Sequence, residues 1–167
     1  IYIWEHPIPG HTYAFGVDTA DGIGKDNTVI EGLKKGGLHG PPKQVVEFAS
    51  SAMNALDATP FCLAIGAYYT VEDQWGGDPK QPRMAIECKG MGDMTQHRMR
   101  ILGWSNFHPW VDKQIDDKQI DLTKYRKIGV LTNSWFRAGL IEILVKALRD
   151  CELEISSPMF VREMQSL

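Results

Sequence analysis

Two acidic residues, Asp18 and Glu87, stand at places where a carboxylate is costly unless something pairs with it. Asp18 closes the apolar run 13–17 and precedes a glycine-rich turn, whereas Glu87 lies inside the apolar run 84–88. A buried charge is normally paired or bound to a metal, and carboxylate oxygens suit hard cations such as Mg²⁺ and Mn²⁺. If the two runs are neighbouring strands, the two acids converge on one metal site.

Simpler roles remain open for each acid. Asp18 could cap the turn by accepting backbone N–H hydrogen bonds, and Glu87 could point from a solvent-facing side of its strand. Asp26 and Asp21 flank the same turn, where aspartate is common for conformational reasons alone. Asp26 is kept as a possible third contributor to the metal site.

Basic and aromatic side chains supply candidate contacts to a nucleic acid. Lysine and arginine neutralise phosphates, although a solvated helix face explains any one of them as well. The basic candidates are Lys25, Lys89, Arg98 and Lys124. Trp104, Phe107 and Trp110 could stack on bases, but aromatic residues at this density more often belong to the core.

The pattern of apolar residues and turn signals predicts the elements that position these side chains. We expect strands at 13–17, 28–34, 44–48, 83–88 and 128–131, with a short edge strand at 153–155. Helices are predicted to start at Thr59-Pro60, to span 94–102 after an Asp93 cap, to follow an amphipathic pattern over 136–148, and to start again at Ser157-Pro158. Strands first and strand–helix alternation later predict an α/β fold, a mixed sheet flanked by helices.

Composition narrows the class of protein. The 167 residues, 43% of them hydrophobic, are enough for one domain with a core, and the net charge of −3 does not indicate nucleic-acid binding by itself. No apolar run is long enough for a membrane span, so no membrane partner is expected. The five histidines and three cysteines show no metal-ligand spacing. The start without Met predicts a fragment of a longer chain.

Four segments together resemble the nuclease domain of tailed-bacteriophage large terminase subunits. Residues 16–26 are similar to its first motif, an apolar strand, an Asp, a small residue and a Gly-x-Gly-x-Asp turn. Residues 85–90 are similar to its second acidic strand, and 129–133 to a Gly-x-x-Thr segment that enters a long helix. Residues 157–167 resemble its late helix. The match runs in order along nearly the whole chain.

The resemblance implies a single ribonuclease H-like nuclease domain over residues 1–167. It implies a two-metal endonuclease in which Asp18 and Glu87 hold Mg²⁺ or Mn²⁺ and cut concatemeric double-stranded DNA. The implied partners are the terminase ATPase domain, which this chain lacks, the small terminase subunit and the portal. The implied location is the host cytoplasm during phage assembly. The family's third acid follows the late helix, so we expect it beyond Leu167.

Other functions remain open at this stage. A transposase, integrase or junction resolvase would keep the fold and change the task. An actin-like or sugar-kinase ATPase half has a similar strand–Asp–Gly turn but needs phosphate contacts that this turn lacks. A non-catalytic domain that clamps DNA or docks on the portal would keep only the binding surface.

Overall fold

Five strands form one mixed sheet in the computed structural model, in the order β1-β4-β3-β2-β5. The structure describes residues 1–20, 24, 26–37, 40–73, 75–88, 91–109, 129–130 and 133–165. The strands are β1 (Tyr2–Ile3), β2 (Tyr13–Asp18), β3 (Thr28–Lys34), β4 (Lys43–Ser50) and β5 (Arg83–Ile86). The described helices are α1 (Ala55–Tyr68), α2 (Gly92–Ile101), α3 (Ser134–Arg149) and α4 (Pro158–Met164). The predicted α/β class with a mixed sheet is therefore confirmed.

Strand directions divide the sheet into two parts. β2 and β3 form an antiparallel hairpin, in register from Tyr13 opposite Lys34 to Asp18 opposite Val29. β4 pairs antiparallel with β3, and β5 pairs parallel with β2. The two-residue β1 adds an antiparallel edge to β4 that the sequence did not predict. β2 is thus the strand that joins the antiparallel and parallel parts.

Two separate segments continue the sheet along the outer edge of β5. Phe107 and Val130 form parallel bridges to Met84 and Glu87. The Gly129 N–H donates to the His108 carbonyl at 2.8 Å, which joins the two segments end to end. Within the strand predicted at 128–131, the structure shows the parallel bridge at Val130. Residues 128 and 131 lie outside the described part of the chain. The predicted edge at 153–155 is a single parallel bridge from Glu154 to Lys43.

The start of α1 was predicted wrongly. Asn54, not Thr59, caps the helix, because its side chain accepts the N–H groups of Leu56 and Asp57. Pro60 lies inside the helix and lacks the N–H that would have bonded to the Leu56 carbonyl. Arg98 of α2 donates to that carbonyl at 3.4 Å, which gives the freed oxygen a partner.

The other predicted helices are confirmed with small changes at their ends. α2 begins at Gly92, so Asp93 lies in its first turn and is not its cap. Asn133 and Ser157 cap α3 and α4 by accepting the N–H groups of Phe136 and Phe160. None of the described helices is long and apolar enough to cross a membrane.

One face of the sheet carries the hydrophobic core. α1 and α2 pack on this face against side chains from every second position of β2, β3 and β5. The core members from these three strands are Tyr13, Phe15, Val17, Ile30, Met84 and Ile86. Trp104 and Phe107 are also buried there, at 5% and 8% exposure, so they serve as core residues. Trp110 lies outside the described residues.

The close contact of Gly129 with β5 predicts the effect of adding a single methyl group. Gly129 has a φ of +104°, and a Cβ there would overlap the Ile86 carbonyl and the Gln96 side chain. We expect Gly129→Ala to lower the free energy of unfolding by about 1–3 kcal/mol. Gly139→Ala is the matched control, because its Cβ would meet nothing within 4 Å inside α3, and it should stabilise by about 0.5–1 kcal/mol. Urea denaturation checks both, and equal effects of the two variants would contradict the role of Gly129.

Candidate metal centre

Asp18 and Glu87 are next to each other at the carboxyl ends of two parallel strands. Val17 and Ile86 are paired in the β2–β5 register. The Glu87 N–H then donates to the Val17 carbonyl at 3.0 Å. Since paired strands lie about 4.8 Å apart, the residue that follows each of them is brought to the same point on the sheet edge. The predicted convergence of the two acids is therefore present in the backbone.

Both acids belong to the face of the sheet opposite the core. The burial alternates along β2, with Tyr13, Phe15 and Val17 buried and Asp18 exposed. Glu87 is half-buried, and it follows the same alternation after Ile86. The carboxylates are thus held by a rigid sheet without being enclosed by the core.

Small residues leave this face open beside the acids. Ala14 and Gly16 are exposed on β2, and Ala85 is half-buried on β5. A Cβ at Gly16 would meet nothing within 4 Å. A bulky, extended ligand could therefore approach Asp18 along this strip of the sheet.

The turn after Asp18 is fixed by a buried threonine. The Thr28 hydroxyl accepts the Ala20 N–H at 3.0 Å and donates to the Met53 carbonyl at 3.2 Å. Thr28 is fully buried, so water does not compete for either hydrogen bond. The hydroxyl ties the end of β2 to the loop that enters α1.

The backbone after Glu87 is fixed by the first residue of α2. A Cβ on Gly92 would overlap the Glu87 carbonyl oxygen and come within 3.4 Å of the Thr19 hydroxyl. Only glycine therefore lets α2 begin this close to both acidic strands. On the other side, the Cys88 N–H donates to the Val130 carbonyl at 2.7 Å, so the chain around Glu87 is held from two directions.

The donor set at this point suits a hard divalent cation. Two carboxylates supply oxygen ligands of the kind that Mg²⁺ and Mn²⁺ take. Across the residues that the structure describes, no group of three or more His, Cys, Asp or Glu side chains is arranged to hold a metal. In that part of the chain Asp18 and Glu87 thus stand as a pair, without a third acid beside them.

The remaining predicted site residues are placed elsewhere or lie outside the description. Asp26 is exposed in the β2–β3 connection, two residues before the buried Thr28. Arg98 is exposed on α2, and its guanidinium contacts α1 in the helix layer, across the sheet from the face that carries the acids. Lys25, Lys89, Lys124 and Asp21 fall outside the described residues, so their roles stay predictions.

A separate cavity lies at the other end of the sheet. It has a volume of about 410 Å³ and is lined by glycines, by Lys34, Lys35 and Lys43, and by Glu154. Lys34 and Lys43 both form ion pairs with Glu5, and these pairs lower the pKa of Glu5 despite its partial burial. This cavity is therefore separate from the acidic pair, and two of its three lysines already have a structural partner.

Thr28 and Gly92 are the positioning residues that the sequence did not reveal. The sequence pattern predicts Thr28 only as the first residue of the strand 28–34, and it assigns no role to Gly92. The Thr28 hydroxyl acts on Met53, which lies 25 residues further along the chain. The contact of Gly92 with the Glu87 carbonyl arises only when the chain folds back after β5, so local patterns reveal neither role. The one sequence signal was the position of Gly92 directly before Asp93, at the start of a helix.

Comparison with known proteins adds no assignment. No protein-family model matches the chain, and no curated protein matches it. The case for the site therefore depends on its residues and their geometry.

The double hydrogen bond of Thr28 predicts a specific loss of stability. Thr28→Val keeps the shape but leaves the Ala20 N–H and the Met53 carbonyl without their partner, which costs about 1–3 kcal/mol. Thr28→Ser keeps the hydroxyl and should lose less. Thermal or urea unfolding measures the difference. Valine and serine variants of equal stability would contradict the anchoring role of the hydroxyl.

Proposed function

We propose that this chain is a metal-dependent endonuclease domain of the ribonuclease H-like class, of the kind found in tailed-phage large terminase subunits. The observation that carries the proposal is the in-register placement of Asp18 beside Glu87 on adjacent parallel strands. Acidic residues brought together by a rigid sheet are what a nuclease metal centre requires.

The topology of the sheet supports the ribonuclease H-like class. Three consecutive antiparallel strands, β2 to β4, are followed by β5, which returns to the far side of β2 in parallel. The segments around Phe107 and Val130 extend the parallel part by one more position. The ribonuclease H-like fold that the four resembling segments imply is a mixed sheet flanked by helices, so this arrangement supports the proposal.

The chain itself holds two carboxylates at a fixed position on the open face of the sheet. Asp18 and Glu87 would bind Mg²⁺ or Mn²⁺ through their carboxylate oxygens. Such a cation, when bound, polarises a phosphodiester and lowers the pKa of water. The exposed strip of Ala14 and Gly16 gives a DNA backbone access to the two acids, and positioning through the backbone needs no base contacts.

The proposed substrate is concatemeric double-stranded DNA, cut when packaging of a viral genome begins and ends. In that role the domain acts beside an ATPase domain, a small terminase subunit and the portal, in the host cytoplasm. Lys25, Lys89 and Lys124 remain candidate phosphate contacts.

Plasmid relaxation in Mn²⁺ tests the site assignment. The longest natural protein that contains this chain should nick supercoiled DNA, and Asp18→Asn and Glu87→Gln should each lower the rate about 100-fold or more. The physical reason is that an amide lacks the charge that holds the cation. DNA binding, measured by fluorescence anisotropy in EDTA, should be unchanged or slightly tighter, because each variant removes one negative charge.

Asp150→Asn and Glu72→Gln are the matched controls. Both residues are exposed and belong to neither acidic strand, so both variants should cleave at the parent rate. Cleavage that survives in the Asp18→Asn, Glu87→Gln double variant would overturn the site. DNA binding without cleavage in the parent protein would favour a clamping domain over a nuclease.

A further inference from the structure

The cavity at the end of the sheet away from the acidic pair has a positively charged lining. Its volume is about 410 Å³, and pockets for small ligands have volumes of about 300–1,000 Å³. Lys34, Lys35 and Lys43 line it, and the described lining contains one acid, Glu154. Most of the other lining residues are glycines. This lining favours an anionic ligand.

Strand register brings two of these lysines together. Lys34 at the end of β3 is the register partner of Lys43 at the start of β4. Like charges directly opposite each other on neighbouring strands repel. The Glu5 carboxylate relieves part of this repulsion, because it forms an ion pair with Lys34 and lies 3.4 Å from Lys43 Nζ. One carboxylate therefore serves two ammonium groups, and one positive charge of the pair is left without a counterion.

The third lysine adds a further positive charge. Lys35 is exposed, and it forms no salt bridge with any described residue. Its backbone is fixed beside the cavity, since its N–H donates to the Thr12 carbonyl at 2.8 Å. Glu154, the acid in the lining, likewise forms no salt bridge within the described ranges. With Glu5 included, three ammonium groups stand against two carboxylates, in a protein whose net charge is −3.

Backbone hydrogen bonds hold the walls of the cavity in place. Gly37 and Gly40 exchange N–H to carbonyl bonds of 3.0 and 3.3 Å. On the facing wall the Glu154 N–H donates to the Pro42 carbonyl at 2.9 Å, and the Glu154 carbonyl accepts the Gln44 N–H at 2.8 Å. Because glycine has no side chain, a ligand can approach the backbone of the Gly37–Gly40 turn closely. The cavity is therefore formed before a ligand arrives.

We propose that this cavity binds phosphate groups through Lys34, Lys35 and Lys43. Lysine ammonium groups bind phosphate oxygens as point charges. A bound phosphate supplies Lys34 and Lys43 with the second negative charge that Glu5 does not provide. His11 is the only aromatic ring in the described lining, so the cavity holds the charged part of a ligand and offers little surface for a stacked base. The site works without any nuclease activity, so its test is independent of the proposed function.

Titration with pyrophosphate, followed in an amide NMR spectrum at low ionic strength, tests the site. The amide signals of Lys35, Gly36 and Gly37 should shift and reach saturation. Lys35→Gln should raise the dissociation constant of pyrophosphate about five- to tenfold, because it removes a positive charge that attracts the anion. Glu154→Gln should lower that constant about two- to fivefold, because it removes the negative charge of the lining.

Lys146→Gln is the matched control. Lys146 is exposed in the last turn of α3 and does not line the cavity, so this variant should bind pyrophosphate as the parent chain does. The site is overturned if pyrophosphate causes no saturable shift at the three amides. It is also overturned if Lys35→Gln binds as tightly as Lys146→Gln.

A short DNA duplex in the same assay identifies the source of the phosphate group. If the duplex shifts the same three amides and competes with pyrophosphate, the site takes phosphates of a nucleic-acid backbone. If pyrophosphate shifts them and the duplex does not, the site takes a small phosphorylated molecule. Either result supports the phosphate site, whereas shifts at these amides with neither probe overturn it.

Discussion

The parallel pairing of β5 with β2 is the contact on which the proposed site depends. One hydrogen bond, from the Glu87 N–H to the Val17 carbonyl, fixes the register at the point where the two acids leave the sheet. A shift by one residue would turn either side chain toward the opposite face. Two neighbouring contacts stabilise this register. The first residue of α2 packs against the Glu87 backbone, and the Gly129 segment lies along the outer edge of β5.

The two faces of the sheet have different tasks. The core face is apolar and aromatic, and its packing against α1 and α2 keeps the strands together. The opposite face carries the exposed Asp18 at one end, and further along the neighbouring strands the half-buried Glu31 lies opposite the buried Glu47. Buried acids cost free energy unless they are neutralised or paired, so this face contributes less to stability than the core face does.

Features that local sequence patterns encode were predicted correctly. Features that depend on contacts between residues distant in the chain were not. Alternating burial in β2 and the amphipathic pattern of α3 made those elements predictable, and the position of Asp18 at a strand end followed from them. The start of α1 was misplaced, because Thr59-Pro60 is a strong local signal but the helix already begins after the Asn54 cap. Pro60 is tolerated inside the helix, since Arg98 of α2 donates to the Leu56 carbonyl. The pairing of Glu31 with Glu47 depends on strand register, which no local pattern in the sequence specifies.

The central claim is that Asp18 and Glu87 together bind a divalent cation. Paramagnetic broadening by Mn²⁺ in an amide NMR spectrum tests it most directly, because the effect falls steeply with distance and requires no catalysis. The account predicts that low Mn²⁺ concentrations broaden the amide signals of residues 17–19 and 86–88 first, and that Asp18→Asn with Glu87→Gln removes this selectivity. Broadening centred elsewhere, or unchanged in the double variant, would contradict the account.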